Sequence, residues 1–199
     1  MNDFRHIIPF IMLWEEGVPT RLYDTLSWKE YYAQCKAKGL HIIPDDIGGP
    51  TVCGVTLGTY KQYRKRKGID VTTSEDLVQI GADEWLDLFR TMFWDKCYGS
   101  GITSQAVADF IVDWYWTAGT WAIKRVQKVV GAYQDGIIGR ITLGAINAFC
   151  LDDWEVFLNR LLDERIDYYE GIAKRRPSQQ KFLNGWKNRA NACVKWKYG

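Results

Sequence analysis

Apolar residues recur at three- and four-residue steps through most of the chain, the spacing of one face of an α-helix. Phe4, Ile7, Ile8, Ile11 and Met12 form the first such face, and Gly17 closes it. Ser27-Trp28-Lys29-Glu30 has the form of a capping box and predicts a helix ended by Gly39. A short basic helix is expected over residues 57–67, stopped by Gly68. Residues 82–94 are amphipathic, with Trp85, Leu88, Phe89 and Met92 on one side. Thr103 or Ser104 is placed to cap a helix that runs through Val107, Phe110, Ile111 and Trp114 to Gly119. Thr120 is placed to cap the next, over residues 121–130. Asp152-Asp153-Trp154-Glu155 opens a long helix towards Lys174, Pro177 breaks it, and Ser178 starts a final one towards Lys195.

Strand signals are thin. The segment 41–56 is rich in Pro, Asp and Gly, and residues 52–56 suit a short strand beside it. Gln134-Asp135-Gly136 is a turn signal ahead of Ile137, Ile138 and Gly139. No internal repeat or low-complexity linker interrupts the pattern. The expected fold class is mainly α with a minor β element.

Composition narrows the classes of function. A chain of 199 residues makes one domain of ordinary size, or one with a small appendage. Its 47% hydrophobic and 25% charged residues exclude disorder. A net charge of +2 is too balanced for a protein that coats nucleic acid, so no nucleic-acid partner is expected. The five Cys are scattered, which is neither a disulfide framework nor a metal knuckle and fits a reducing compartment. The apolar run from Ile7 to Trp14 is short, broken by Pro9, and followed by Glu15-Glu16 instead of a cleavage site. Nothing approaches the roughly 18 apolar residues of a membrane span, so no membrane insertion is expected. The localisation these features imply is cytoplasmic until a separate route releases the protein to the periplasm or cell wall.

Several chemistries lack their residues. His6 and His41 are the sole histidines, too few for a zinc site built on several His. There is no G-x-S-x-G turn and no Walker or dinucleotide fingerprint. No metal and no cofactor is expected. A pair of Cys53 with His41 stays open from order alone. Carboxylates remain. Glu16 ends a strongly apolar helix, immediately before Gly17. Half-buried there, it would have its charged form disfavoured and stay protonated near neutral pH, the state a general acid needs. A solvated helix-end charge is the plain alternative. Asp45-Asp46-Ile47-Gly48-Gly49-Pro50-Thr51 adds a second carboxylate, a hydroxyl, and two Gly that let the backbone approach a ligand. An ordinary Asp-Gly surface turn is the alternative there.

These residues carry a resemblance. Residues 11–17, Ile-Met-Leu-Trp-Glu-Glu-Gly, followed by residues 44–56, Pro-Asp-Asp-Ile-Gly-Gly-Pro-Thr-Val-Cys-Gly-Val-Thr, resemble the signature of glycoside hydrolase family 108. That family's pattern is Glu-Gly-Gly, a short Tyr/Asn/Asp/Pro stretch, then Asp-x-Gly-Gly-x-Thr-x-x-Gly-Ile-Thr. Downstream, Phe93-Trp94-Asp95, the stretch 113–119 with Ala122-Ile123-Lys124 and Gln127, and Asp135-Gly136-Ile137-Ile138-Gly139 with Thr142-Leu143 continue the likeness. Phe182-Leu183-Asn184-Gly185-Trp186 with Asn188-Arg189 closes it, so the resemblance covers nearly the whole chain. Three departures stand out. Val18 replaces the family's second Gly, Thr117 stands where Asn is commoner, and a long insertion runs from Val18 to Pro44. The capping box at Ser27 makes that insertion an extra helix beside the cleft.

The resemblance implies a lysozyme-like N-acetylmuramidase that cleaves the β-1,4 bond between N-acetylmuramic acid and N-acetylglucosamine. It implies a catalytic region over 1–97 and a helical peptidoglycan-binding region over 98–199, packed against it. Glu16 matches the family's catalytic Glu, Asp46 its second acidic position, with Asp45 as rival, and Thr51 the hydroxyl that helps place water. Asp45, Gly48, Gly49, Tyr60, Asp113 and Trp116 are carried as substrate-binding candidates. Tyr60, Trp116 and Trp121 are also candidates on chemical grounds, since sugar rings stack their C–H faces on aromatics. Trp85, Trp114 and Trp154 are expected in the core. From Gly171 onwards there are eight Lys or Arg and no acidic residue, and Lys61 to Lys67 is also basic. Such faces suit either simple solvation or attraction to the anionic wall. The expected partner is the peptidoglycan glycan strand, with a holin or secretion system as route of release, and the expected state is a monomer. A non-catalytic peptidoglycan-binding protein of the same fold, acting in secretion or wall remodelling, is the alternative, and a zinc amidase a third.

Overall fold

The computed structural model describes residues 2–41 and 49–196. The chain divides into two compact units: one spans Ile8–Met92, and the other begins at Phe93 and takes in the residues up to Ile7. The regions expected from the sequence, 1–97 and 98–199, differ from these units at both ends of the first. The N-terminal residues join the second unit because their polar atoms bond there. Asn2 Nδ2 donates to Ile102 O at 2.7 Å, and His6 Nδ1 lies 2.5 Å from Asp109 Oδ2.

The first unit is built from α1 (Ile8–Glu16), α2 (Trp28–Lys36), the hairpin β1 (Thr51–Val52) and β2 (Val55–Thr56), α3 (Leu57–Arg66), α4 (Ser74–Val78) and α5 (Ala82–Phe89). Helix α1 starts four residues after Phe4, with Pro9 in its first turn, where a missing N–H breaks no helical bond. The capping box at Ser27 forms as expected: Ser27 Oγ accepts from Glu30 N, and Glu30 Oε2 accepts from Ser27 N at 2.9 Å. Helix α2 belongs to the core of this unit. Trp28 packs 5.6 Å from Trp85, which stacks on Phe89 at 5.4 Å. Trp28 Nε1 donates to Ala82 O, while Tyr32 Oη and Lys36 Nζ donate to Ile80 O. The strands pair antiparallel, Thr51 with Thr56 and Val52 with Val55, and His41 adds a bridge to Thr51. Residues 82–94, expected as one helix, change to a π-helical turn over Arg90–Trp94.

The second unit holds α6 (Gln105–Ala118), α7 (Thr120–Val129), α8 (Arg140–Arg175) and α9 (Leu183–Val194). Ser104 is the cap of α6. Thr120 is not a cap: Gly119, at φ +57°, ends α6 and starts α7 with no linker, so Thr120 is already helical. Helix α8 contains a break at Asp153 (φ −158°, ψ 98°). There Oδ1 accepts from the N–H of Glu155 and Val156, both at 3.0 Å, so Asp153 opens the distal half as a cap. The proximal half, starting at Arg140, follows an uncapped Gly139 and has no start signal in the sequence. Ser178 lies in a 3-10 turn, Pro177–Phe182, and α9 begins at Leu183 instead. Trp85 and Trp114 are fully buried, whereas Trp154 is only partly covered. No helix among the described residues is long and apolar enough to cross a membrane.

Candidate active site

Glu16 is the last residue of α1, and its side chain is 2% exposed. Gly17 follows at φ +65°, and its N–H donates to Leu13 O at 2.9 Å, ending the helix in a left-handed turn. A carboxylate at this end stands at the negative pole of its helix. Burial raises the Glu16 carboxyl above its ordinary value, against the opposing pull of His41 and Lys38. Lys38 Nζ donates to the Glu16 backbone carbonyl oxygen. His41 Nε2 lies 3.1 Å from Glu16 Oε2. Both lie between α2 and the hairpin, so the stretch that follows α2 supplies polar partners to this carboxyl.

The hairpin fixes His41. Its N–H donates to Thr51 O at 2.8 Å, and its carbonyl accepts from Thr51 N at 2.9 Å. Thr51 Oγ1 donates to Gly49 O at 3.0 Å. Glu16, His41, Thr51 and Gly49 thus form one connected set. Asp45, Asp46 and Gly48 lie outside the described residues. Cys53 does not pair with His41: its thiol is buried and raised by that burial, its carbonyl accepts from Trp85 Nε1 at 3.1 Å, and His41 is turned to Glu16. Burial likewise pushes the Cys35 thiol up to about 12. Both thiols stay neutral and inert.

Two substrate-binding candidates are corrected by the structure. Tyr60 is buried, and its hydroxyl donates to Glu84 Oε1 at 2.9 Å, so its ring offers no stacking face. Asp113 is fully buried in the second unit. Arg165 Nη2 donates to its Oδ2 at 2.8 Å, and Arg189 Nε and Nη2 donate to its Oδ1 at 3.1 and 2.8 Å. Both oxygens are filled, so Asp113 is a structural ion-pair centre. Trp116, in the same unit, is partly exposed and lies 4.4 Å from Phe93. Thr117 Oγ1 is within reach of Asp113 O and Trp114 O, the back-bond of an ordinary helical Thr. The sequence offered His41 for a zinc site or beside Cys53 and not as a partner of Glu16, and it carried no signal for Lys38.

A second candidate surface lies in the second unit. Gln127 is buried and donates from Nε2 to Asp135 Oδ1, Ile137 O and Thr142 Oγ1, while its Oε1 accepts from Gly136 N at 2.9 Å. That network pins the Asp-Gly turn. Beside it an open groove of about 330 Å³ is lined by Tyr133, Ile137, Arg140 and Ile141 among others. Tyr133 is 86% and Ile141 81% exposed, large apolar surfaces left facing solvent. Trp121 is also exposed, with Lys124 Nζ 5.2 Å above its ring. No group of three or more His, Cys, Asp or Glu among the described residues is placed to hold a metal ion.

Two family models match the chain: glycosyl hydrolase 108 over residues 28–119, and a predicted peptidoglycan domain over residues 121–191. The first span includes His41 and Thr51 and begins after Glu16. The solved structure of Brucella abortus SagA is similar over 84% of this chain and 93% of its own, at 27% sequence identity and a TM-score of 0.67. No curated relative matches. The fold is mainly α and lysozyme-like, with its minor β element in the hairpin that carries Thr51.

Proposed function

We propose that this chain, which the glycosyl hydrolase 108 model matches over residues 28–119 and a predicted peptidoglycan domain over residues 121–191, is an N-acetylmuramidase acting on the peptidoglycan glycan strand. The bond cleaved in this reading is the β-1,4 link between N-acetylmuramic acid and N-acetylglucosamine. The observation that carries the proposal is Glu16, buried at the end of α1 with its carboxyl raised by that burial. A carboxyl kept protonated donates to the glycosidic oxygen as the C–O bond breaks and an oxocarbenium-like sugar develops. Water then adds to that carbon. Asp46 is the second carboxylate of this proposal, with Asp45 as its rival, and Thr51 is the hydroxyl beside the water. The groove at Tyr133, Ile137 and Ile141 and the exposed Lys174, Arg175 and Arg176 are proposed to hold the wall. The first offers flat apolar contact to sugar, the second attraction to muramoyl and stem-peptide carboxylates.

Mass spectrometry of peptidoglycan digested by the purified protein tests the proposal. Fragments ending in reducing muramic acid are expected. A 1,6-anhydro end would make it a lytic transglycosylase instead. Sedimentation with wall, without any release of fragments, would make it a binding protein.

A further inference from the structure

A general acid that gives up its proton at each turnover must receive one back. The Glu16 side chain is 2% exposed, whereas that of His41, whose Nε2 lies 3.1 Å from Glu16 Oε2, is 37% exposed. Imidazole carries two separate nitrogens, each able to donate or accept, and is the usual proton shuttle among side chains. One nitrogen of His41 sits on the buried carboxyl, and the ring as a whole reaches solvent. Its backbone is fixed by the paired bonds to Thr51, which keeps the residue beside the carboxyl.

We propose that His41 is the proton relay and positioning residue of Glu16, returning a solvent proton to Oε2 after each cleavage. The inference rests on Glu16 being the general acid. Cleavage moves the Glu16 proton to the glycosidic oxygen as the C–O bond breaks, leaving a carboxylate. The Nε2–H of the neutral ring then protonates Oε2 as Nδ1 takes a proton from solvent, and the ring resets when it turns to water, losing the Nδ1 proton and regaining one at Nε2. The flat torsion about the carboxyl lets that O–H turn towards the next bond. The water consumed gives its hydroxyl to the anomeric carbon and its proton to solvent, so no proton is gained or lost overall.

The other titratable groups around Glu16 do not fill this role. The Cys35 thiol on α2 and the Cys53 thiol on the hairpin are both raised by burial and then by the Glu16 charge, so neither delivers a proton as an acid near neutral pH. The Lys38 ammonium is engaged with the Glu16 carbonyl. Glu15 carries the same charge as Glu16 and raises it further. His41 alone among these joins the carboxyl to water with a group that both gives and takes a proton.

The test compares His41→Gln, which keeps a hydrogen-bond donor but relays nothing, with His41→Ala, both assayed on a soluble oligosaccharide beside Glu16→Gln. The kcat of His41→Gln is expected to fall by about tenfold or more, with KM little changed and an altered pH profile. Added imidazole is expected to restore rate to His41→Ala in proportion to its concentration. Circular dichroism and the thermal midpoint establish that each variant is folded, which the exposed ring and intact backbone bridge favour. Wild-type kcat and pH profile in His41→Gln would overturn the relay, as would a loss in His41→Ala that imidazole leaves unchanged. If Glu16→Gln is inactive in either of those cases, the muramidase reading stands and only the relay falls. Full activity in Glu16→Gln would remove both.

Discussion

Arg165 Nη2 donates to Asp113 Oδ2 at 2.8 Å, and neither side chain is exposed to solvent. Arg189 completes the centre from α9, so one carboxylate ties α6 to α8 and α9 inside the second unit. Arg165 also lies over Phe110 at 5.2 Å and Tyr169 at 5.6 Å, and its Nε donates to Tyr169 Oη at 3.0 Å. Burial alone would raise the Asp113 carboxyl, but Arg189 and Arg165 more than offset it and hold it below its ordinary value.

Removing that carboxylate leaves two guanidinium groups facing each other without compensation. Asp113→Ala is therefore expected to destabilise the protein by about 3–5 kcal/mol, read as a lower denaturant midpoint. The pH dependence follows from the lowered carboxyl. Its stabilisation is fully present above the unfolded Asp value of about 3.9 and is lost as pH falls through the still lower folded value. Acid unfolding of the wild type should thus show a component that Asp113→Ala lacks. Equal stability of the two proteins across that range would refute the assignment.

Glu16→Gln should cut wall lysis by about 10²–10⁴-fold, the usual contribution of a general acid. Glu15→Gln, one residue back and about 100° round the helix, should be nearly neutral. Since the folded carboxyl of Glu16 is raised, its stabilisation is present while it is protonated and is lost as pH rises through the folded value. The amide avoids that loss. The Gln variant should therefore unfold no earlier than the wild type at neutral pH, and a markedly lower thermal midpoint would show that the inactivity is misfolding.

Lys174, Arg175 and Arg176 are exposed at the end of α8. Changing all three to Gln should lower sedimentation with purified wall and leave cleavage of a short soluble oligosaccharide almost unchanged. Salt should weaken wild-type binding as charges are screened over about 8 Å at physiological ionic strength. Tyr133→Ala should lower wall binding in a way that salt does not reproduce, because that contact is apolar. Identical sedimentation of every variant at all salt concentrations would leave these surfaces as solvated faces.

Two glycines of the second unit should respond in opposite directions. A Cβ on Gly99 would stand 2.5 Å from the Trp94 ring, which is buried and donates from Nε1 to Ser100 Oγ at 2.8 Å. Gly99→Ala should cost about 1–3 kcal/mol through overpacking. Gly144 sits inside α8 with nothing within 4 Å of its added Cβ, so Gly144→Ala should stabilise by about 0.5–1 kcal/mol. Denaturant unfolding measures both.

Local signals carried most of the helices. Ser27, Ser104 and Asp153 cap where their side chains can reach an N–H two or three residues on, a bond that depends on nothing distant. The amphipathic face of Trp85, Leu88 and Phe89 was legible for the same reason, and it is buried as its spacing requires. Thr120 and Ser178 misled because a polar residue before a helix caps it only if the backbone leaves it outside. Gly119 and the 3-10 turn after Pro177 decide otherwise. The first half of α8 carried no cap to read. Around the candidate site, the order of residues already puts Glu16 at the end of an apolar helix before a glycine. That its carboxyl is buried, and that His41 and Lys38 reach it, follows from folding alone. The same holds for Tyr60, closed against Glu84, and for Asp113, filled by two arginines 52 and 76 residues away. The difference is one of range. Capping and helical periodicity act within a turn or two of chain, while burial and the pairing of charges depend on residues that only folding brings together.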